Sequence, residues 1–418
     1  MRLLIGCERL DLVGGSERYA ADVANGLVER GHEVELITGK LGQEVDASVT
    51  EIPSLFDDEV PAQALSDLKL KLRNSPPDRI LLLSRASTEV LDACTERAST
   101  ARFVQDHTLF CPGLNKLHAD GTPCSDPMGT ACLKRFFLSK GCSGFQRDGW
   151  RPALRWPLRK LRQHRDALTA HRELDRLLVA SDYMRSELIA AGCDPARVER
   201  VGYFTSQGRA RTPKSSLPED LTAFLAGSDS PVILCSARLV HPDKGVDHLL
   251  TALGELKTPA RCVIAGEGPA SAWLKEKTRE EGLAERVHFT GWLDRATLEE
   301  LREQVTLVAV PSVWDEPFGL VGLEAMAHSL PVVAFDVGGI SEWLKGGETG
   351  VLVPRRDAHA FARALDSLLS DPERAKKMGV SGARLLRERY SQAAHLSRLE
   401  DALSLSSLGG RISAVPAC

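Results

Sequence analysis

Residues 306–342, TLVAVPSVWDEPFGLVGLEAMAHSLPVVAFDVGGISE, constrain the fold of this chain more than any other stretch. The apolar run 306–310 reads as a short buried strand, and 330–335 reads as the next one. Between them Leu320, Leu323, Glu324 and Ala327 recur at helical spacing; Gly319 opens the helix and Pro331 stops it. The loop 312–318 leads into that helix. Its N-terminus therefore points into the crevice at the carboxyl end of a parallel strand, a ready anion site. Glu316 and Glu324, with seven residues between them, place one carboxylate in the loop and one a turn and a half into the helix. Carboxylates beside an anion site repel the anion unless they grip sugar hydroxyls next to it. A dipole for phosphate and acids for a polyol together predict a nucleotide-sugar site, whereas two spaced glutamates alone would fit a solvated helix face.

The same alternation runs along the rest of the chain. Strands are predicted at 3–5 and 34–38, with a helix between them whose buried stripe is Tyr19, Val23, Leu27 and Val28, capped by Ser16 and ended by Gly31. The intervening turn, Val13-Gly14-Gly15-Ser16, lets the backbone approach a ligand closely. It lacks G-x-G-x-x-G, which argues against a dinucleotide oxidoreductase. Further strands are expected near 80–83, 102–105 and 177–180, followed by a capped helix over 181–192. The Ser-, Pro- and Thr-rich stretch 205–220 reads as an interdomain linker. A second α/β series runs from 232–235 to 351–353, and 357–405 reads as helical throughout. At 418 residues, two doubly wound α/β domains facing a central cleft are the expected architecture.

Arg238 and Lys244 leave the strand at 232–235 on one βα loop, where two fixed cations can hold a diphosphate and stabilise its departure. Gly266-Glu267-Gly268-Pro269 and Gly291-Trp292-Leu293 each follow a strand. No Asp-x-Asp lies at a strand end, so donor binding is expected to need no divalent cation. The formal charge of −4 gives no global pull toward nucleic acid, and no apolar run approaches the roughly 20 residues that span a bilayer. The opening residues fit a strand better than a signal peptide, which places the chain in the cytoplasm with its ten cysteines reduced. Cys111, Cys124, Cys132 and Cys142 cluster in a Gly- and Pro-containing loop that needs a staple. A structural zinc ion or iron–sulfur cluster and four unligated thiols are the two readings, because the spacing is not that of a zinc ribbon. Basic residues dominate 134–165, with Phe136, Phe137, Trp150 and Trp156 among them. That segment fits a solvated face, a surface for single-stranded nucleic acid, or peripheral contact with an anionic membrane at the inner face of the cell membrane.

Glu316 and Glu324, with the flanking Glu316-Pro317-Phe318-Gly319 and the later Gly338-Gly339-Ile340-Ser341-Glu342, resemble the signature of glycosyltransferase family 4, retaining enzymes of the GT-B fold. The resemblance extends to the Gly14-Gly15 loop and the Arg238–Lys244 pair. It implies a Rossmann-like acceptor domain over 1–205 with a cysteine-rich insertion near 105–165, a nucleotide-sugar domain over 206–390, and a helix within 391–418 crossing back. It implies Glu316, Arg238, Lys244 and His107 as catalytic residues. Gly14, Gly15, Gly266, Gly268, Trp292, Leu293, Phe318, Gly319, Leu320 and Glu324 would bind the donor. Glu324 would hold ribose, and Glu316 would contact the transferred sugar. The implied reaction moves a sugar from a nucleotide diphosphate to a hydroxyl of a carbohydrate or lipid-linked acceptor, in cell-surface polysaccharide or glycoconjugate synthesis. Many members carry His-Asp-x-x-x-x-Cys-Pro after an N-domain strand; here Gln105 holds the histidine slot and His107 follows two residues on. That exchange supports the rival reading, a catalytically silent GT-B subunit that binds nucleotide sugar or scaffolds a complex.

Overall fold

The computed structural model describes residues 1–10, 15–42, 45–138, 142, 156–205 and 216–404. Seven parallel strands form the first sheet: β1 (Arg2–Arg9), β2 (Glu33–Lys40), β3 (Ser48–Glu51), β4 (Arg79–Leu82), β5 (Ser99–Val104), β6 (Arg176–Val179) and β7 (Val198–Arg200), in the order β3-β2-β1-β4-β5-β6-β7. Six form the second: β8 (Val232–Ser236), β9 (Arg261–Ala265), β10 (Val287–Gly291), β11 (Leu307–Val310), β12 (Val332–Phe335) and β13 (Gly350–Val353), in the order β10-β9-β8-β11-β12-β13. The central strands are continuous apolar runs because helices cover both faces; every residue of β11 and β12 is buried. Register is fixed on both sides of β1, with Leu3 opposite Val34 and Arg79.

In each sheet the strand order reverses once, between β1 and β4 and between β8 and β11. Loops leaving the carboxyl ends of such a pair diverge to opposite faces of the sheet and open a crevice. Those two crevices carry the features analysed below.

Several details differ from the sequence expectations. The tail is three helices, Ala358–Leu369, Pro372–Arg389 and Gln392–Ser404, interrupted where Asp371 caps the second through its side chain and where Ser391 precedes the third. A helix at Glu219–Ala226 begins inside the stretch read as linker, while residues 206–215 of that stretch lie outside the described residues. The edge strands β3 and β7 had no apolar signal to reveal them.

The last helix packs on the first domain. Gln392 Nε2 donates to Asp22 O at 3.0 Å, Arg398 Nε donates to Val201 O at 2.8 Å, and Arg30 pairs with Glu400 at 2.5 Å. At its centre, buried His395 lies 2.9 Å from the Tyr19 hydroxyl through Nε2. Around this pair Phe103, Tyr203 and Phe204 stack at centroid distances of 5–6 Å from Tyr19. Tyr203 also meets Phe318 of the second domain at 5.5 Å, so one aromatic cluster spans both domains.

Burial pushes the imidazole of His395 down to about 3, so it is neutral in the fold. His107 is likewise pushed down to about 3 and His164 to about 4, chiefly by burial. The unfolded chain takes up these protons below about pH 6.5 and the folded chain does not, so stability is lost as pH falls from 6.5 toward 3. Each such histidine contributes about 1.4 kcal/mol of loss per pH unit in that window. The expected result is a urea midpoint that drops between pH 7.5 and 5.5, with a smaller drop in His395→Gln than in the parent chain.

Candidate functional site

The crevice between β8 and β11 is built from three loops. The loop after β8 carries Arg238 and Lys244 and ends at the helix Val246–Gly254. The loop after β11 carries Ser312, Asp315 and Glu316 and ends at Gly319, the left-handed residue before the helix Leu320–Ala327. Lys244 Nζ donates to Glu316 Oε1 at 2.6 Å, and Ser312 Oγ donates to the same oxygen at 2.7 Å. The Lys244 ammonium lies 4.9 Å from the Trp314 ring centroid. Glu316 is 7% exposed, so this ionic contact is largely desolvated. Arg238 on the same loop is exposed and makes no ion pair among the described residues. The two cations thus differ: Lys244 is committed to the carboxylate, and Arg238 is available.

The third loop, after β12, holds Glu316 from behind. Gly339 N donates to Glu316 O at 2.7 Å, and Gly338 N donates to Asp315 Oδ1 at 3.2 Å. Gly338 has φ of 50°, and a Cβ there would sit 2.3 Å from Glu316 O. Only glycine allows that approach. Asp315 is also ion-paired with Arg355, which fixes the loop a second time.

Glu324 lies on the helix beyond Gly319 with its side chain 28% exposed, and one of its oxygens accepts from the deeply buried Arg302. The sequence reading missed Arg302. Its signal was a lone arginine on the buried face of the helix Arg295–Arg302, beside buried Leu301 and Thr297. Phe318 is buried at 1% exposure and packs on Tyr203 and Tyr390, while its carbonyl accepts from Trp343 Nε1. Gly319 and Leu320 stand at the helix mouth.

Gly266 and Gly268 line the loop after β9, where a Cβ would lie 1.9 Å from Ala237 O and 2.3 Å from Leu239 O. These glycines let the β9 loop run against the loop bearing Arg238, with Leu239 N donating to Glu267 O at 2.9 Å. Gly291 O accepts from Gly266 N at 2.8 Å, bringing the end of β10 to the same edge. There Trp292 is 59% exposed and Leu293 is partly buried against the core. In the first domain Gly15 begins the helix Gly15–Glu29, and Gly14 lies outside the described residues.

The first domain closes the site at a polar seam. Ser181 caps the helix Asp182–Ala190 and donates through Oγ to Pro317 O at 2.5 Å. Asp182 N donates to Glu342 Oε1 at 2.7 Å, and Arg200 lies 3.3 Å from the other oxygen of Glu342. His107 belongs to this seam. It is fully enclosed, 2.8 Å from the Tyr183 hydroxyl through Nε2 and edge-on to Trp314 at 5.6 Å. The ring is neutral and enclosed at the seam between the domains. Gln105, by contrast, lines a cavity of about 290 Å³ in the first domain.

Cys111, Cys124, Cys132 and Cys142 line another cavity, of about 260 Å³, beside Arg135 and Glu187. The Sγ atoms of Cys111 and Cys142 lie 3.7 and 3.4 Å from one point, the position a Cβ on Gly113 would take. Burial pushes the Cys111 thiol up to about 12 and the Cys142 thiol up to about 11, and it raises that of Cys124. Among the described residues no three His, Cys, Asp or Glu side chains are set to hold one metal ion. The same loop reaches the second domain, where Asn115 Nδ2 donates to Asp243 Oδ2 at 2.8 Å. Of the basic segment 134–165, residues 139–141 and 143–155 lie outside the described residues, and 156–165 belong to the helix Trp156–Arg172. No described helix is long and apolar enough to cross a membrane.

Comparison with known proteins agrees with this architecture. The first domain matches the profile described as Glycosyltransferase Family 4 over residues 13–202, and the second matches Glycosyl transferases group 1 over 219–384. The chain is 32% identical over 229 residues to an alpha-D-kanosaminyltransferase of Streptomyces kanamyceticus, covering 54% of this chain and 59% of that protein. It is 31% identical over 267 residues to a GDP-mannose-dependent alpha-(1-6)-phosphatidylinositol monomannoside mannosyltransferase of Mycolicibacterium smegmatis, covering 61% and 67% respectively. The chain thus spans roughly six tenths to two thirds of the length of these relatives. Among solved structures, Anabaena HepE in complex with UDP superposes with a TM-score of 0.71 at 18% identity, over 97% of this chain and 100% of that one. Two parallel-sheet domains of the GT-B fold, matched by both profiles, make this chain a member of glycosyltransferase family 4.

Proposed function

We propose that the protein is a retaining glycosyltransferase that moves a sugar from a nucleotide diphosphate to an acceptor hydroxyl. The observation that carries this reading is the set at the β8/β11 reversal: Arg238 free, Lys244 bound to Glu316, and Glu324 braced by Arg302. In this proposal residues 206–390 take the donor and residues 1–205 the acceptor. The diphosphate would lie at the mouth of the helix Leu320–Ala327, with Arg238 and Lys244 against its oxygens and Glu324 on the ribose. HepE, which shares the fold, is known in complex with UDP.

Departure of the diphosphate leaves positive charge on the sugar and concentrates negative charge on the leaving oxygen. Lys244 and Arg238 stabilise that oxygen, while Glu316 holds the sugar near the seam. The acceptor attacks the face the diphosphate leaves, and a diphosphate oxygen takes the hydroxyl proton. Positioning and electrostatics supply the catalysis, with no covalent intermediate and no donor metal required. The acceptor is a carbohydrate or a lipid-linked sugar, in the synthesis of cell-surface polysaccharide or a glycoconjugate. Peripheral membrane contact through 134–165 and a cytoplasmic location belong to the same reading.

The thiol cavity enters the proposal as a structural staple binding zinc or an iron–sulfur cluster. Convergence of four cysteines on one cavity supports it. Purified protein is expected to carry about one zinc ion, or iron with cluster absorption, and Cys124→Ser to lose it. Metal-free protein with full activity would return these residues to ordinary buried thiols.

Two variants test the donor set. Glu316→Gln and Arg238→Ala are each expected to lower turnover at least a hundredfold, about 3 kcal/mol of transition-state stabilisation, in a nucleotide-sugar transfer or hydrolysis assay. Near-normal turnover in either would remove that residue from the site, and a folded parent chain inert toward a panel of nucleotide sugars would favour a silent subunit. Stability separates the two cations. Lys244→Met strands the buried Glu316 carboxylate and is expected to lower unfolding free energy by about 3 kcal/mol. Arg238→Ala is expected to change it by less than about 0.5 kcal/mol in the same denaturation series.

A further inference from the structure

A cavity rich in cations sits at the reversal of the first sheet. Residues leaving β1, β4 and β5 wall a cavity of about 290 Å³, and the helix Trp156–Arg172 closes one side. Four cations line it: Arg9, Arg85, Arg102 and Lys160. Two acids, Glu8 and Asp106, line it as well. Asp106 Oδ1 already accepts from both the Thr108 amide and its hydroxyl, at 2.9 and 2.5 Å. Asp58, which lines a neighbouring cavity, pairs with Arg85 and lies 3.6 Å from Lys160.

Arg102 is the informative residue. It is 3% exposed, and its contact is with a histidine rather than with an acid. His171 donates through Nδ1 to Ala167 O at 2.6 Å, so its Nε2 is the lone-pair nitrogen that accepts from Arg102 Nη1. Burial and the guanidinium itself hold His171 well below its ordinary range, so the ring carries no charge. The Nε of Arg102 is buried with no hydrogen-bond partner. A second buried donor without a partner, Gln105 Nε2, belongs to the same cavity wall. Asp106 is the acid whose charge reaches Arg102, yet the guanidinium still keeps one buried N–H without a partner, an unfavourable arrangement that a bound anion would relieve.

We propose that this cavity binds the phosphoryl group of a phosphate-bearing acceptor. The assignment of the ligand as acceptor rests on the transferase reading, and it names the acceptor's chemical class. Position supports it. Gln105 and Thr108 line the cavity, while His107 between them touches Trp314, over whose ring Lys244 lies. His107 and Trp314 thus stand between the cavity and Lys244. Arg9, Arg85, Arg102 and Lys160 outnumber the lining acids Glu8 and Asp106, a surplus of positive charge that suits a phosphoryl group.

The test reads binding without turnover. Inorganic phosphate is titrated calorimetrically into the full-length protein after a nucleoside diphosphate has filled the donor crevice. The expected result is saturable binding of one phosphate, weakened at least tenfold by Arg102→Gln and by Lys160→Gln. The second variant alters a surface-reaching side chain and keeps the test informative where the first does not fold. No saturable binding, binding untouched by Lys160→Gln, or equal affinity for acetate would overturn the proposal. Because this readout needs no transfer, its failure and that of the transferase reading are distinguishable. Turnover then identifies the source: soluble sugar phosphates on one arm, and vesicles carrying a polyprenyl-phosphate-linked sugar on the other. Transfer to neutral sugars alone, equal in the parent chain and Lys160→Gln, would also overturn it.

Discussion

A nearly buried carboxylate, Glu316, is the point on which the second domain's crevice and the domain seam both depend. Its side chain is held by Lys244 from the β8 loop and by Ser312 from its own loop. Its carbonyl is held by Gly339 from the β12 loop. The next carbonyl along, that of Pro317, accepts from Ser181 of the other domain. Three loops of one sheet and a helix cap of the other sheet therefore meet within two residues of chain. A charge buried this far is tolerable only because a cation and a hydroxyl share it. The consequence is rigidity where the proposed chemistry requires fixed geometry.

The two sheet reversals handle charge differently. At β8/β11 the buried acid is satisfied internally, and the free cation, Arg238, is exposed. At β1/β4 the deeply buried group is itself a cation, and its partner is a neutral imidazole. The first arrangement is complete without a ligand and offers an anion an exposed arm. The second leaves one buried guanidinium N–H without a partner. Both sit where diverging loops leave room, so topology explains the location of each crevice while side-chain pairing explains what each can hold.

Long-range pairing also separates what was legible in the sequence from what was not. The buried strands at 306–310 and 330–335 were legible because both faces are covered and the run is uniformly apolar. The glutamate pair and the Arg238–Lys244 loop were legible from spacing within one βαβ unit. The strand Ser48–Glu51 was not, since an edge strand with largely exposed residues has no apolar pattern. Arg302 escaped because its partner, Glu324, stands 22 residues away across a strand. Arg102 escaped for a similar reason: within β5 it reads as one charged residue in an apolar strand, and His171 is 69 residues distant.

His107 gives the sharpest case of a residue whose neighbours decide its meaning. In sequence it lies two residues from Gln105, and either could reach a sugar. In the fold the two part. A short 3-10 turn over His107–Leu109, capped by Asp106, rotates successive side chains to different faces. His107 turns toward Tyr183 and Trp314 and is sealed, with its proton affinity suppressed by burial and by Lys116. Gln105 lines the cavity, and its amide nitrogen is buried without a partner. The cavity lining thus includes the glutamine, and the histidine becomes part of the wall between the proposed donor and acceptor. A neutral, enclosed ring in that wall adds packing against Trp314 without adding charge. That leaves Lys244 as the nearby cation already paired with Glu316, and it leaves the anion-binding capacity of the first domain to Arg102 and its neighbours.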